Sequence, residues 1–253
     1  MERKSMLSGL FLLLSCLIMA VAPVRAGAES LTVDLAKDHV DITTGFTGAE
    51  LVLFGMAEEG ADVAVVIRGP RKDVIVRQKG RFLGAWLNRE GMTFEDVPLF
   101  YDYALSRPED EFMDEASRHN HEIGLSGLPF KPQSGRYHKE MVEEFEKALI
   151  RNRQAIGLFP QEPRTVSFLN SQLFKVVMHV PANVPTGTYE IQTFLVKGKD
   201  VKEVRTTKLT VAQVGFSAGV YKFSHSYAFS YALLCLSFAV FAGWFSNRAS
   251  GRG

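Results

Sequence analysis

From Tyr227 to Phe245 the chain carries no charge over about 19 positions, and the apolar run is interrupted only by Ser230, Ser237 and the small Gly243. At 1.5 Å of rise per residue, a helix of that length crosses a hydrocarbon core of about 30 Å. The segment therefore reads as a transmembrane helix over 227–245. Tyr227 and Tyr231 stand at one end and Trp244 at the other, where interfacial aromatic residues belong. Ser230 and Ser237 can face a partner helix or bond their own backbone, and the second reading is preferred.

A second apolar run opens the chain. Arg3 and Lys4 precede Met6 to Ala22, and the small residues of Val24-Arg25-Ala26 follow, the order of a cleavable signal peptide over 1–26. An uncleaved anchor is the competing reading, because about 17 apolar residues approach spanning length. A signal at the front and a stop-transfer helix at the back send the intervening domain, residues 29–222, across the membrane and leave 246–253 as a cytoplasmic tail. Arg248 and Arg252 on the inner side agree with the positive-inside tendency, with Lys222 opposing them from the outer side.

Roughly 200 residues lie between these ends, enough for a sizeable core. With 29 basic against 28 acidic residues, no charge bias points to nucleic acid. Both cysteines, Cys16 and Cys235, lie in the hydrophobic ends. The domain thus has no disulfide or thiolate site, which suits a bacterial periplasm, where a sufficient core makes disulfides unnecessary.

Within the domain, short β-branched runs read as strands: Leu31–Leu35, His39–Thr43, Ala49–Phe54, Asp62–Arg68, Asp73–Gln78 and Phe82–Leu87. Ala64 to Ile67 is continuously apolar and so central. Gly55, Gly60, Gly69-Pro70 and Gly80 read as turns between these runs. Ser106 followed by Glu109 has the form of a capping box, opening a short acidic helix to about His119. Met141, Val142, Phe145, Ala148, Leu149 and Ile156 recur at helical spacing over 137–155, with Gly157 as the stop and the charged residues forming a solvated face. Strands return at Leu173–Val180, Thr188–Val196 and Val204–Val211, and Val184-Pro185-Thr186-Gly187-Thr188-Tyr189 leads into one of them in the manner of immunoglobulin-like domains. The expected fold is mainly β: an immunoglobulin-like sandwich with a helical insertion at about 106–157, plus the C-terminal transmembrane helix.

Few residues suggest chemistry. His119, His121 and Glu122 form a candidate metal site on an extended segment, although the i, i+4 spacing of a helical site is missing. Arg68, Arg71 and Lys72 form a compact basic turn that could take an anion, against the plainer reading of a basic hairpin tip. Trp86, Phe82, Phe94, Phe100, Tyr101 and Tyr103 read first as core and second as a ligand surface. Gly124-Leu125-Ser126-Gly127 has the wrong spacing for a nucleophile elbow, and the phosphate-binding pattern is missing, so neither an enzyme nor a cofactor is implied.

Taken in order, Ala49-Glu50-Leu51-Val52-Leu53-Phe54-Gly55, Val65-Val66-Ile67-Arg68-Gly69-Pro70, Phe159-Pro160, the Val184 to Tyr189 segment and a Trp-containing span resemble the alphaproteobacterial putative transmembrane protein family. The resemblance covers nearly the whole chain. It implies a single-pass inner-membrane protein with a periplasmic domain, and it hints at a multispanning permease as partner.

Overall fold

The computed structural model describes residues 30–82, 85–133 and 137–250. The expected signal peptide and the end of the tail lie outside these residues, as do the side chains of Phe82 and Trp86. Thirteen strands, five α-helices and one short 3-10 helix, Leu125–Gly127, are formed among the described residues.

Strands β1 (Leu31–Leu35), β3 (Gly48–Ala57), β11 (Leu173–Pro181) and β10 (Ser167–Phe168) make one antiparallel sheet in the order β1-β3-β11-β10. The second sheet has the order β2-β13-β12-β4-β7-β9, from β2 (His39–Ile42), β13 (Asp200–Gln213), β12 (Gly187–Lys197), β4 (Asp62–Arg68), β7 (Tyr101–Leu105) and β9 (Arg164–Thr165). These two sheets face each other as a sandwich. Period-two alternation sends Leu51, Leu53, Phe174, Val176, Ile191 and Leu209 into the space between them.

Gly55 is not a turn. It lies inside β3 opposite Phe174, and a Cβ there would come within 2.4 Å of the Phe174 ring. Gly60, by contrast, does turn the chain, with φ +74°. Tyr189 locks the corner before β12 by donating its hydroxyl proton to the Pro185 carbonyl at 2.6 Å, as a tyrosine corner does.

At β4 and β7 the six-stranded sheet is buried on both faces, which explains the continuous apolar run of β4. Val63, Val65 and Ile67 point into the sandwich, while Ala64 and Val66 point to a second core on the far side. That core is covered by α1 (Glu109–Phe112), α2 (Glu115–His121), α3 (Lys139–Ala155) and a long hairpin of β5 (Arg71–Phe82) and β6 (Ala85–Pro98), which also pairs with β8 (Lys131–Pro132). The fold is mainly β, as expected, but has three layers.

Gly69-Pro70 is not a turn either. Gly69 N–H donates to the Phe100 carbonyl and Leu99 N–H to that of Pro70, so the β4/β7 ladder runs on into β5/β6. Gly80 likewise lies inside β5, opposite Leu87. Both register shifts in this ladder place the extra residue on β6. One of them includes Asp96, at φ +53°, whose N–H is held by Asp73.

The capping box does not form. Ser106 Oγ instead accepts the Val63 N–H and donates to Asp62, while Glu109 accepts from Tyr103. The acidic helix is also broken at Met113, which is extended. Phe112 and Met113 are both buried in the same core. The extended backbone at Met113 separates the two short helices while both side chains enter that core. On α3, Phe145 and Leu149 are buried and Met141, Val142 and Ala148 pack beside them, but Ile156 is exposed. Gly157, at φ +73°, ends the helix as Leu158 N–H returns to the Arg153 carbonyl.

After β13 comes a helix not read from the sequence, α4 (Phe216–Ser226), then a break at Tyr227, then α5 (Ala228–Ser250). Ala228–Arg248 is long and apolar enough to cross a membrane, and none of its most apolar window is buried within the protein. Ser237 Oγ donates to the Leu233 carbonyl at 2.8 Å, bonding its own helix, and the Arg248 guanidinium lies 5.6 Å from the Trp244 ring centre.

Candidate functional site

Two of the three basic residues singled out from the sequence meet the end of α2. Arg68 closes β4 on the helical side of the six-stranded sheet and is 6% exposed, so it is not at a hairpin tip. Its Nη1 donates to Gln192 Oε1 at 2.7 Å and its Nη2 to the His121 carbonyl at 2.6 Å. Its Nε lies 2.9 Å from Glu122 Oε2 as an ion pair, although the N–H is not aimed for a hydrogen bond. Arg71 Nη2 holds the same carboxylate oxygen, while its Nη1 reaches the carbonyl and the carboxylate of Asp96. Lys72, one step further along β5, is exposed and outside this cluster.

Glu122 sits in the left-handed region, at φ 52° and ψ 43°, at the end of α2. That conformation costs a non-glycine residue roughly 1–2 kcal/mol. Here it aims the carboxylate at two guanidinium groups and closes the helix, with Ile123 N–H returning to the Arg118 carbonyl. Tyr101, fully buried, donates its hydroxyl proton to the Glu122 carbonyl at 2.8 Å. Burial holds the Tyr101 phenol well above its ordinary pKa. Tyr103 is raised as well, first by burial and then by its bond to Glu109, so both phenols stay protonated donors.

The candidate metal residues do not converge. His119 is exposed, the His121 ring meets Phe194 edge-on at 5.4 Å, and the Glu122 carboxylate is taken by the two arginines. Among the described residues, no group of three His, Cys, Asp or Glu could hold a metal ion. The cavity beside the cluster, about 340 Å³, brings Arg68 and Arg71 together with Glu122 and Glu190, so its charges balance. Of the aromatic stretch, Phe94, Phe100, Tyr101 and Tyr103 are core residues.

A larger groove, about 680 Å³, runs between β5 and α3. Val76 and Phe145, both nearly buried, form its floor with Ala148, and Arg77, Lys147 and Arg151 stand exposed at its rim. Sequence reasoning took the α3 charges as a solvated face. A signal was present all the same, in Lys147 and Arg151 at i, i+4 beside the helix's buried stripe.

Among the described residues, a three-layer β domain is followed by one helix long and apolar enough to span a bilayer, the make-up of a membrane-anchored class of protein. The chain matches, over residues 30–251, the family described as "Putative transmembrane protein (Alph_Pro_TM)", and it belongs to that family. No curated protein matches it. A chain of the solved structure described as "Structural basis of T cell specificity and activation by the bacterial superantigen toxic shock syndrome toxin-1" is similar at 10% identity, with 72% of this chain and 99% of that one covered and a TM-score of 0.26. So low a score carries no argument.

Proposed function

We infer that the protein is a non-enzymatic interaction module held at the bacterial inner membrane, with the β domain in the periplasm, the C-terminus in the cytoplasm and a multispanning permease as the partner it assists. The observation behind this reading is the unburied α5. Among the described residues, the domain completes two cores to which α5 contributes nothing, so the apolar surface of this helix is left to be covered by lipid or by other helices. The charged groups of the Glu122 cluster satisfy each other, so they tie α2 to the sheet and leave no free acid, base or ligand group there.

The test is purification of the full chain from its native membrane in mild detergent, followed by mass spectrometry. A multispanning protein should co-purify, and should be lost when α5 is replaced by an unrelated span. A solitary protein would end the accessory reading. Orientation is read separately with Lys202→Cys and Ser246→Cys chains on intact spheroplasts, where an impermeant maleimide should label the first and spare the second.

A further inference from the structure

The groove between β5 and α3 has the features of a strand-addition site. Among the described residues, β5 has β6 as its one ladder partner, so its other edge offers unpaired N–H and C=O groups. Both register shifts place their extra residue on β6, which leaves β5 a regular twelve-residue edge. Helix α3 faces β5 across the groove, whose floor is formed by Val76, Phe145 and Ala148. An edge strand facing a helix across an apolar slot is one arrangement by which domains grip extended peptides, the backbone adding to the sheet and alternate side chains filling the slot.

The charge says which peptide. Among the described residues, Arg77 and Arg151 have no hydrogen-bond or ion-pair partner, Lys147 beside them acts electrostatically on Glu146, and of the carboxylates only Glu144 lines the same groove. Elsewhere in the domain, Arg68, Arg71, Arg107, Arg118 and Arg164 are all paired. Nearby, Glu143 pairs with Lys139 outside the lining. Two unpaired arginines and Lys147 around a slot with an apolar floor complement an occupant that alternates carboxylates with apolar residues. An anionic lipid would answer the charge but leave the strand edge unpaired, which favours polypeptide.

We propose that β5 and α3 bind an extended acidic segment of a partner protein, which joins the sheet along β5. This rests on the interaction reading above and names the partner chemistry. The probe is a fluorescein-labelled peptide of alternating Glu and Val, titrated by polarisation into the full-length protein in mild detergent. Saturable binding is expected. It should weaken about tenfold or more in the Arg77→Gln/Arg151→Gln chain, as the loss of two charge-assisted contacts requires, and also when the glutamates are replaced by glutamine. Alternate backbone N-methylation should abolish it, while Lys202→Gln, on an exposed pair at the far turn, should leave it unchanged.

Binding that survives N-methylation or the double substitution overturns the proposal. So does capture of phosphatidylglycerol vesicles with no binding of the peptide. Arg77 and Arg151 are exposed, so the double variant is expected to keep its circular dichroism and melting temperature. If a permease co-purifies equally with wild type and with the double variant, the groove assignment falls and the accessory reading stands. If nothing co-purifies with wild type, the accessory reading falls and the peptide titration alone decides the groove.

Discussion

The six-stranded sheet has two faces built on different principles. On the sandwich side, Leu31, Leu53, Phe174, Val176 and Ile191 come from regular strands that alternate inward and outward, and the core is almost wholly apolar. On the helical side, α1 and α2 are only four and seven residues long. They are too short to be stable alone, because nucleating a helix costs more than so few hydrogen bonds return. That layer is tied to the sheet by polar bonds instead: Arg68 to Gln192 and to the end of α2, Tyr101 to the Glu122 carbonyl, Tyr103 to Glu109, and Glu109 to Arg118. A pattern-specified core is non-directional and shared by all the strands around it, so its loss is felt throughout, whereas a polar tie fixes one position and its loss stays local.

The largest expected effect lies on the sandwich side. Phe174 is fully buried with its ring over Gly55, so Phe174→Ala leaves a cavity and should cost about 3–5 kcal/mol. Because the six-stranded sheet is shared, amide hydrogen exchange should speed up together in β3, β11, β12 and α3. Loss of protection confined to β3 and β11 would show that the two cores unfold independently and would break the comparison.

Arg68→Met should cost somewhat less, about 3 kcal/mol, the low end for breaking a buried pair, because Glu122 keeps Arg71 and is partly exposed. Here the loss should be local. Exchange should accelerate across α1, α2 and the 122–128 segment while β3 and β11 stay protected, as expected of a layer held by ties. Uniform acceleration would show that Arg68 supports the whole domain.

The same division explains what could be read from the sequence. β1 and β4 have the bounds expected of them, because alternation and two-sided burial leave their mark residue by residue. The long α3 was legible from its 3.6-residue period. The helical layer's other features were not. Ser106 and Glu109 have the letters of a capping box, but their partners Asp62 and Tyr103 lie across the fold, and tertiary bonds won over the local motif. Arg68 looked like a turn because Gly69-Pro70 follows it, yet the ladder continues through both residues. In the candidate site, Arg68 and Arg71 were found and their carboxylate partner was assigned to a metal, since nothing in the spacing of His119, His121 and Glu122 reveals that Glu122 turns into the left-handed region toward β4. The groove escaped notice because it joins β5 to a helix more than sixty residues later in the chain, and local pattern does not report such a pairing.

The smallest effect sharpens the comparison from the sandwich side, where Asp102 is an exception to the apolar rule. It is 3% exposed, accepts the Tyr103 N–H at 2.9 Å, and meets Arg164 Nε at 3.2 Å. Burial raises its pKa above the ordinary 3.8, with Arg164, the Tyr103 bond and, more weakly, His179 opposing the rise. Between the unfolded and folded pKa values the native state binds more protons than the unfolded chain, so this group's contribution to stability falls as pH rises through that window. Below the window the acid is neutral in both states and costs nothing by ionisation. Asp102→Asn keeps an acceptor for Tyr103 N–H and removes the titration. The stability of the variant relative to wild type should therefore increase as pH climbs above about 3.8 and level off toward neutrality, as read from paired urea denaturations between pH 4 and 7. Because Arg164 is nearly half-exposed, its pairing is screened and its loss should blunt this gain only slightly. A relative stability that falls with rising pH would mean that Asp102 is a polar tie like Arg68, and that both faces of the shared sheet depend on buried charge.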